Sequence, residues 1–400
     1  MITSRPHSLN QALSSAHDSA SDRVGGVWGE QFSIYLDLVR FLAATYVMLA
    51  HTKYPRFTDG WLNSFGYSVN DAVMVFFVLS GLVIAHVTLR NERGFGDYVI
   101  ARLSRLWSVA LPALVVGLLV DSVGTRLQPS LYAGAWYAAD HPIGRLLANA
   151  GFLGEIWFVD FLPFSNVPYW SINYEFWYYA IFAAFVFTKG WKRYAALTLC
   201  ALISGPKILL LLPVWLMGVA THQLIERGRP SLPVGLSMAL LAPLAYALYT
   251  QSGIHGHLGW MASRWLGSEF QNNTLSWSKS FLSNYVVGFL VLAHFLGMAM
   301  FLKRVTLFPP VLARLIRTCA GYTFSIYLLH VPLLHFSAAL IALDPSSKVD
   351  WLTMLSISVT VIILVGSVTE HKKHMVKKIL LRVQQQCLRI VNPYMRSAQT

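Results

Sequence analysis

Apolar stretches of about 20 residues recur along the whole chain, each long enough to cross a hydrocarbon core. Hydrophobic residues make up 55% of the 400 residues and charged residues only 12%, whereas soluble domains carry about 25% charged residues. Backbone polar groups in lipid must be paired within their own segment, which favours helices. The pattern predicts an all-α, polytopic membrane protein with about ten transmembrane helices, near residues 34–52, 68–89, 106–123, 170–188, 193–206, 207–225, 233–250, 281–302, 319–342 and 351–369.

The distribution of positive charge predicts how these helices are oriented. When the ten spans are placed in order, most of the 31 lysines and arginines fall in segments that lie on the same side of the membrane as the N-terminus. Cytosolic loops carry such an excess. We therefore expect both termini in the cytosol and the long loops 124–169 and 251–280 outside. The same bias accounts for the net charge of +13 without a nucleic-acid partner.

The spans form one predicted transmembrane domain, residues 34–370, between two tails. Residues 1–33 are polar and Ser-rich, and they lack the apolar core of a cleavable signal peptide. We expect them to form a disordered cytosolic tail. Residues 371–400 form a basic amphipathic run, which we expect to lie on anionic lipid in the cytosol.

One apolar segment outside the spans, residues 145–163, is interrupted by Glu155, Asp160 and Pro163. Charges and a proline at membrane depth need burial in protein or access to water. The segment is therefore predicted to be interfacial or re-entrant rather than spanning. The three cysteines are scattered and odd in number, so they indicate neither a disulfide framework nor a metal site.

The first span carries one arginine and one histidine within its apolar sequence. Arg40 and His51 are eleven residues apart, which is about three helical turns plus roughly 20°, so both lie on one face about 16 Å apart along the axis. Ionisable residues inside a membrane are costly and usually functional. Two of them on one face indicate two positions on a path across the bilayer. The ordinary alternatives are an arginine that reaches the headgroups and a hydrogen-bonded interfacial histidine.

The second and third spans add further polar positions. Asp71 opens the second span at its outer edge. Ser80 and Gly81 lie mid-membrane, where small residues permit either close helix packing or a narrow slot for a ligand. Arg102 and Arg105 share a helix face at the predicted N-terminus of the third span. Helix N-termini favour anions and arginine forks match phosphate oxygens, so the pair is either a phosphate clamp or a positive-inside anchor.

The fourth and ninth spans contribute a carboxylate and a second histidine. Glu175 lies about one and a half turns inside the outer interface, at a depth similar to that of His51. A Glu175–His51 pair would orient the imidazole and raise its basicity. The alternative is a carboxyl bonded to neighbouring Trp or Tyr side chains. His330 lies mid-helix and is interpreted as a structural histidine rather than a catalyst.

Taken in order, these residues resemble those of the acyltransferase 3 family, polytopic enzymes typified by bacterial O-antigen and exopolysaccharide acetylases. The resemblance covers roughly residues 34–370. It rests on Leu36-Asp37-Leu38-Val39-Arg40 followed by His51, on Phe76-Phe77-Val78-Leu79-Ser80-Gly81, on Arg102-x-x-Arg105, on Trp170-Ser171 with Glu175, on Ser325-Ile326-Tyr327-Leu328-Leu329-His330, and on Glu370.

The resemblance implies a membrane acyltransferase that moves an acyl group, usually acetyl, from cytosolic acyl-CoA to a hydroxyl of a glycan or lipid-linked saccharide. It further implies an outer-face acceptor and residence in a bacterial inner membrane. His51 would be the catalytic histidine, with Glu175 orienting it or the acceptor. Arg40, Arg102 and Arg105 would bind the acyl-CoA. No bound cofactor is expected, because acetyl-CoA would be a co-substrate.

The remaining polar positions have candidate roles beside this machinery. Ser80 would line the path of the thin pantetheine arm, whose length matches the separation of Arg40 and His51. The groups that would bind the acceptor or support the site are Asp37, Asp71, Tyr327 and His330.

Two questions stay open on the sequence. His51 could act as a general base or carry the acyl group transiently. The intramembrane charges would also suit a transporter or flippase of a glycolipid or small anion, although we find no paired interrupted helices in two related halves. The acceptor and the oligomeric state have no readable signature.

Overall fold

The computed structural model describes residues 28–63, 69–92, 94–134, 136–228, 231–370 and 373–397. Within these ranges the regular structure is helical, apart from one isolated bridge between Ala138 and Phe164. The prediction of an all-α protein is confirmed. Residues 1–27 of the predicted tail 1–33 lie outside the described residues.

Sixteen α-helices follow one another in the described part of the chain. They are α1 Glu30–His51, α2 Pro55–Thr58, α3 Val69–Asn91, α4 Phe95–Leu127, α5 Pro142–Ala150, α6 Trp170–Phe187, α7 Trp191–Ser204, α8 Pro206–Arg227, α9 Leu232–Gln251, α10 Ile254–Leu266, α11 Ser268–Thr274, α12 Phe281–Leu302, α13 Pro310–Ala320, α14 Thr323–Leu340, α15 Lys348–Thr369 and α16 Lys373–Ser397.

Eight of the described helices are long and apolar enough to cross a membrane, namely α1, α3, α4, α8, α9, α12, α14 and α15. The other two predicted spans correspond to α6, which has 18 residues but carries Asn, Glu and several Tyr, and to α7, which has only 14. The count of about ten spans and the cytosolic position of the termini therefore stay predictions.

Two helix boundaries differ from those predicted. Helix α1 begins at Glu30, and Trp28 before it is buried, so the bundle starts earlier than residue 34. Helix α4 begins at Phe95 rather than near residue 106. Arg102 and Arg105 consequently lie about two to three turns inside α4. The prediction that they sit at a helix N-terminus was wrong, and the helix dipole does not add to their charge.

The segment after α5 folds onto the bundle without a spanning helix, as predicted for residues 145–163. A fully buried ion pair holds it there. Lys207 Nζ, in the first turn of α8, donates to Glu155 Oε2 at 2.7 Å and to the Val159 carbonyl at 2.6 Å. Trp277 Nε1 donates to the other carboxylate oxygen at 3.3 Å. Both charges thus have partners away from water, which burial demands.

Helices α3 and α8 run parallel and touch backbone to backbone. A Cβ added to Gly81 would lie 2.0 Å from the Trp215 carbonyl oxygen, and one added to Gly218 would lie 2.0 Å from the Val78 carbonyl oxygen. Small residues permit such an approach between membrane helices. Gly81 is therefore explained by helix packing, which was one of the two sequence readings.

We predict that Gly218→Ala lowers stability by about 1–3 kcal/mol, because the new methyl group must push α3 away from α8. Gly259→Ala is the matched control: it lies in α10, and its Cβ would meet nothing within 4 Å. That change should be neutral or stabilising. Thermal unfolding in detergent measures both. Equal midpoints for Gly218→Ala and the parent protein would contradict the backbone contact.

Candidate active site

Five helices enclose a narrow slot inside the bundle, with a volume of about 40 Å³. Helix α1 packs against α3 and α14, and α14 packs against α4. We call this cavity the slot; its lining residues are Arg40, Val73, Phe76, Phe77, Leu79, Ser80, Arg105, Ser171, Ile172, Glu175, Thr323, Phe324 and Tyr327. Most of the slot's polar groups are residues that the sequence singled out.

Two arginines form one end of the slot. Arg40 Nη1 lies 3.5 Å from Asp37 Oδ1, one turn earlier on α1, so Asp37 supports the arginine. The Arg105 guanidinium lies 5.4 Å from the centre of the Phe324 ring. Within the described part of the chain Arg105 has no carboxylate within 4 Å. Its guanidinium donors are therefore available to an anion.

Arg102 faces a different environment from Arg105. It forms a buried ion pair with Glu92, and its guanidinium lies 5.3 Å from the Tyr98 ring centre. Arg102 lines a neighbouring, mostly apolar cavity of about 530 Å³ between α4, α6 and α7. Arg102 and Arg105 thus do not form a single clamp in this structure, because Glu92 occupies the guanidinium of Arg102.

Glu175 is the hub of a hydrogen-bonded network in the wall of the slot. Ser80 Oγ donates to Glu175 Oε1 at 2.6 Å, and Tyr179 Oη donates to the same oxygen. Trp215 Nε1 in turn donates to Ser80 Oγ at 3.2 Å. The predicted Glu175–His51 pair was wrong, since no hydrogen bond or ion pair joins these two residues. The alternative, a carboxyl bonded to neighbouring aromatic side chains, describes what is seen.

His51 instead pairs with His330, at the other end of the site. The two rings lie 4.9 Å apart, and His330 Nε2 is 3.2 Å from His51 Nδ1. His51 Nδ1 is also 2.8 Å from the Val47 carbonyl, and His330 Nδ1 is 3.0 Å from the Ile326 carbonyl. Both rings are buried.

The two carbonyls determine where the protons of this histidine pair reside. A carbonyl can only accept, so each Nδ1 must carry the hydrogen that it donates. His330 Nε2 then has a lone pair, and the single His51 Nδ1–H is shared between this lone pair at 3.2 Å and the Val47 carbonyl at 2.8 Å. His51 Nε2 is left with a lone pair of its own. Such a fixed tautomer is what a general base or a nucleophile requires.

Tyr327 connects the slot to the histidine pair. It lines the slot, its hydroxyl is 2.8 Å from Ser171 Oγ, and its ring centre lies 6.2 Å from that of His330. Asp71, by contrast, accepts from Tyr246 Oη at 2.9 Å and lines a separate apolar cavity of about 400 Å³. Of the four candidate support residues, Asp37, Tyr327 and His330 therefore adjoin the site and Asp71 does not.

An aromatic cluster lies beyond His51; it consists of Tyr54, Arg56, Trp136 and His335. The Tyr54 ring is 5.7 Å from that of His51. The Arg56 guanidinium lies 4.1 Å from the Trp136 ring centre, and it donates to His335 Nε2 at 3.3 Å. In the sequence, Arg56 is only one of the positive charges between the first two predicted spans. The one available signal was the short spacing of His335 from His330 on the same helix.

A family model for an acyltransferase domain, acyltransferase 3, matches residues 33–369. The match spans most of the chain and includes every residue of the slot. The chain belongs to the acyltransferase 3 family. Comparisons with curated proteins and with solved structures give no match. Family membership confirms the resemblance seen in the sequence, and supports an acyltransferase embedded in a membrane by several helices.

His330 is placed to position His51, and its substitution should therefore affect turnover. We predict that His330→Leu lowers kcat for acyl transfer by about 10- to 100-fold, the range found when partners that orient metal-bound histidines are removed. The loss stays moderate because the Val47 carbonyl still fixes the tautomer. His330→Gln should recover part of the rate, since its amide oxygen can accept from His51 Nδ1–H.

The kinetic constants distinguish positioning from a general loss of folding. The KM for the acyl donor should stay unchanged in both variants. The matched control is His294→Gln, because His294 is hydrogen-bonded to Tyr35 and the Ala239 carbonyl outside the slot. Normal kcat in a folded His330→Leu variant would rule out a positioning role.

Proposed function

We propose that the protein transfers an acyl group, acetyl in the first instance, from cytosolic acyl-CoA to a hydroxyl of a glycan or lipid-linked saccharide at the outer face. The observation that carries the proposal is the order of groups along the bundle. Arginines lie at one end of the slot, Tyr327 at the other, and the His51–His330 pair lies next to Tyr327. The acyltransferase 3 match supports the reaction type.

The arginine end suits the charged part of acyl-CoA. Arg105 has unoccupied donors, and Arg40 lies beside it on the slot. Arginine forks bind phosphate oxygens strongly and with defined geometry. The phosphates, which are expensive to bury, stay at this end. Arg102 joins them if a phosphate displaces Glu92 from its guanidinium.

The pantetheine arm is thin and largely uncharged, and it would enter the slot by moving the lining side chains apart, because the slot has a volume of only about 40 Å³. The rings of Phe76 and Phe324 and the hydroxyl of Ser80 line its wall. The Glu175 network fixes that wall, and its carboxylate is close enough to interact electrostatically with both Arg40 and Arg105. We assign Glu175 to holding the slot and its arginines in place rather than to acting on His51.

His51 Nε2 performs the chemical step. It takes the proton of the acceptor hydroxyl, whose oxygen attacks the thioester carbonyl carbon. The carbon–sulfur bond breaks, and the CoA thiolate leaves with the proton from the His51 imidazolium. His330 stabilises the charged ring by accepting from Nδ1–H, as the orienting partner of a catalytic histidine does. The same nitrogen suits the competing route through an acyl-histidine, which rapid acid quenching would trap.

The aromatic cluster beyond His51 suits a saccharide acceptor. Tyr54 and Trp136 offer ring faces, and Arg56 and His335 supply polar groups beside them. A sugar presents apolar C–H faces and hydroxyls, so this combination can orient one hydroxyl toward His51. We propose residence in a bacterial inner membrane, with this cluster on the outer side.

Substitutions at the two ends of the slot should have different effects, one on donor binding and the other on the chemical step. Arg105→Gln should weaken CoA binding by about 10- to 150-fold, because it removes a charge-assisted contact worth roughly 1.5–3 kcal/mol. His51→Gln should leave the Kd for CoA nearly unchanged and lower turnover by about 10²–10⁴-fold if the histidine acts as a general base.

The measurements are calorimetric CoA binding and acceptor-dependent CoA release. The control is Arg227→Gln, which removes an exposed arginine at the end of α8. Release of CoA that depends on both protein and acceptor also excludes a transporter or flippase. Near-normal transfer by a folded His51→Gln variant would contradict the proposed mechanism.

A further inference from the structure

A second group of titratable side chains lies away from the slot, between α3 and α8. His86 belongs to α3, and His222 and Glu226 belong to α8. Ligand atoms of the three residues lie within 4.8 Å of one another. The close contact at Gly81 and Gly218 keeps the two helices parallel and in register here. His222 and Glu226 are four residues apart, so both point from one face of α8.

The two imidazoles of this group differ from the other buried histidines. Five histidines are buried in the described part of the chain. In three of them, His51, His330 and His335, Nδ1 bonds to the carbonyl four residues earlier. His86 and His222 are only 8% and 3% exposed, yet the buried Nδ1 of each has no hydrogen-bond partner among the described residues. Such groups are rare and need an explanation.

The surroundings hold these rings in place. Trp28 stacks on His86 with ring centres 3.7 Å apart, and its ring also lies 6.0 Å from that of His222. Glu226 completes the group at its more exposed side. Arg90 Nη2 donates to Glu226 Oε1 at 3.0 Å, but both side chains are about one third exposed. An exposed pair of this kind is weak and can be displaced.

We propose that His86, His222 and Glu226 bind a divalent transition-metal ion of the Zn²⁺ type. Two imidazoles and one carboxylate, with a water as fourth ligand, are a known zinc donor set. Ca²⁺ and Mg²⁺ prefer oxygen ligands and fit poorly. Zinc ligands at about 2.0–2.1 Å would stand roughly 3.4 Å apart in a tetrahedron, so small side-chain rotations close the site. The bound ion would join α3 to α8, with Trp28 stacked on one of its ligands.

This site was not anticipated from the sequence, which indicated no metal. His86 is far from His222 and Glu226 in the chain, and no short ligand motif connects them. The juxtaposition depends on the parallel packing of α3 on α8. It does not depend on the acyl-transfer proposal, and its test needs no transfer assay.

Cobalt titration of the purified full chain, with any affinity tag removed, tests the proposal. We expect one equivalent of Co²⁺ to bind with ligand-field absorption bands that Zn²⁺ abolishes. His222→Gln should lose these bands. Glu226→Gln should weaken binding by more than about tenfold. Arg90→Gln should tighten it by about two- to fivefold, because it removes a cation that competes for Glu226.

The controls separate this site from surface binding. His255→Ala/His257→Ala removes two exposed histidines of α10 and should leave the titration unchanged. Should His222→Gln fail to fold, the opposite effects expected for Glu226→Gln and Arg90→Gln still decide the matter. No ligand-field bands in the parent protein, or unchanged affinity in Glu226→Gln, would overturn the proposal.

Discussion

The structure depends on how one carboxylate is accommodated inside an apolar bundle. Glu175 accepts from Ser80 and Tyr179, and Trp215 donates to Ser80 in turn. Leaving a buried carboxylate without partners is costly, so these contacts require α3, α6 and α8 to sit at fixed distances. The backbone contact of α3 with α8 provides that distance through two glycines. The slot exists because this network holds its wall open beside Arg40 and Arg105.

The same principle explains why the histidine pair forms at the other end. His51 and His330 are both buried, and each satisfies Nδ1 with a carbonyl of its own helix. This arrangement leaves one lone pair for the contact between the rings and one on His51 Nε2. The local hydrogen-bond requirement of two buried imidazoles thus produces a group suited to proton transfer.

The sequence predicted the helical class, the family and most residues of the slot, because membrane helices and short motifs have strong local signals. It failed where distant segments meet. His51 could pair with any polar group at its depth, and depth alone favoured Glu175 over His330. The N-terminal limit of α4 was placed too late because residues 95–105 are less apolar than the span they continue. Arg56 and the His86 group acquire neighbours only through tertiary packing.

The central claim is that acyl donor enters at the arginine end and reacts at His51 near the opposite face. Sealed inside-out membrane vesicles that contain the native acceptor, supplied externally with acetyl-labelled acetyl-CoA, test this most directly. The account predicts labelled saccharide in the lumen for the parent protein and a rate of labelling about 10²–10⁴-fold lower for His51→Gln. Sealed right-side-out vesicles should give label only after permeabilisation. Equal labelling of sealed vesicles of both orientations, or a near-normal rate of labelling by His51→Gln, would contradict the account.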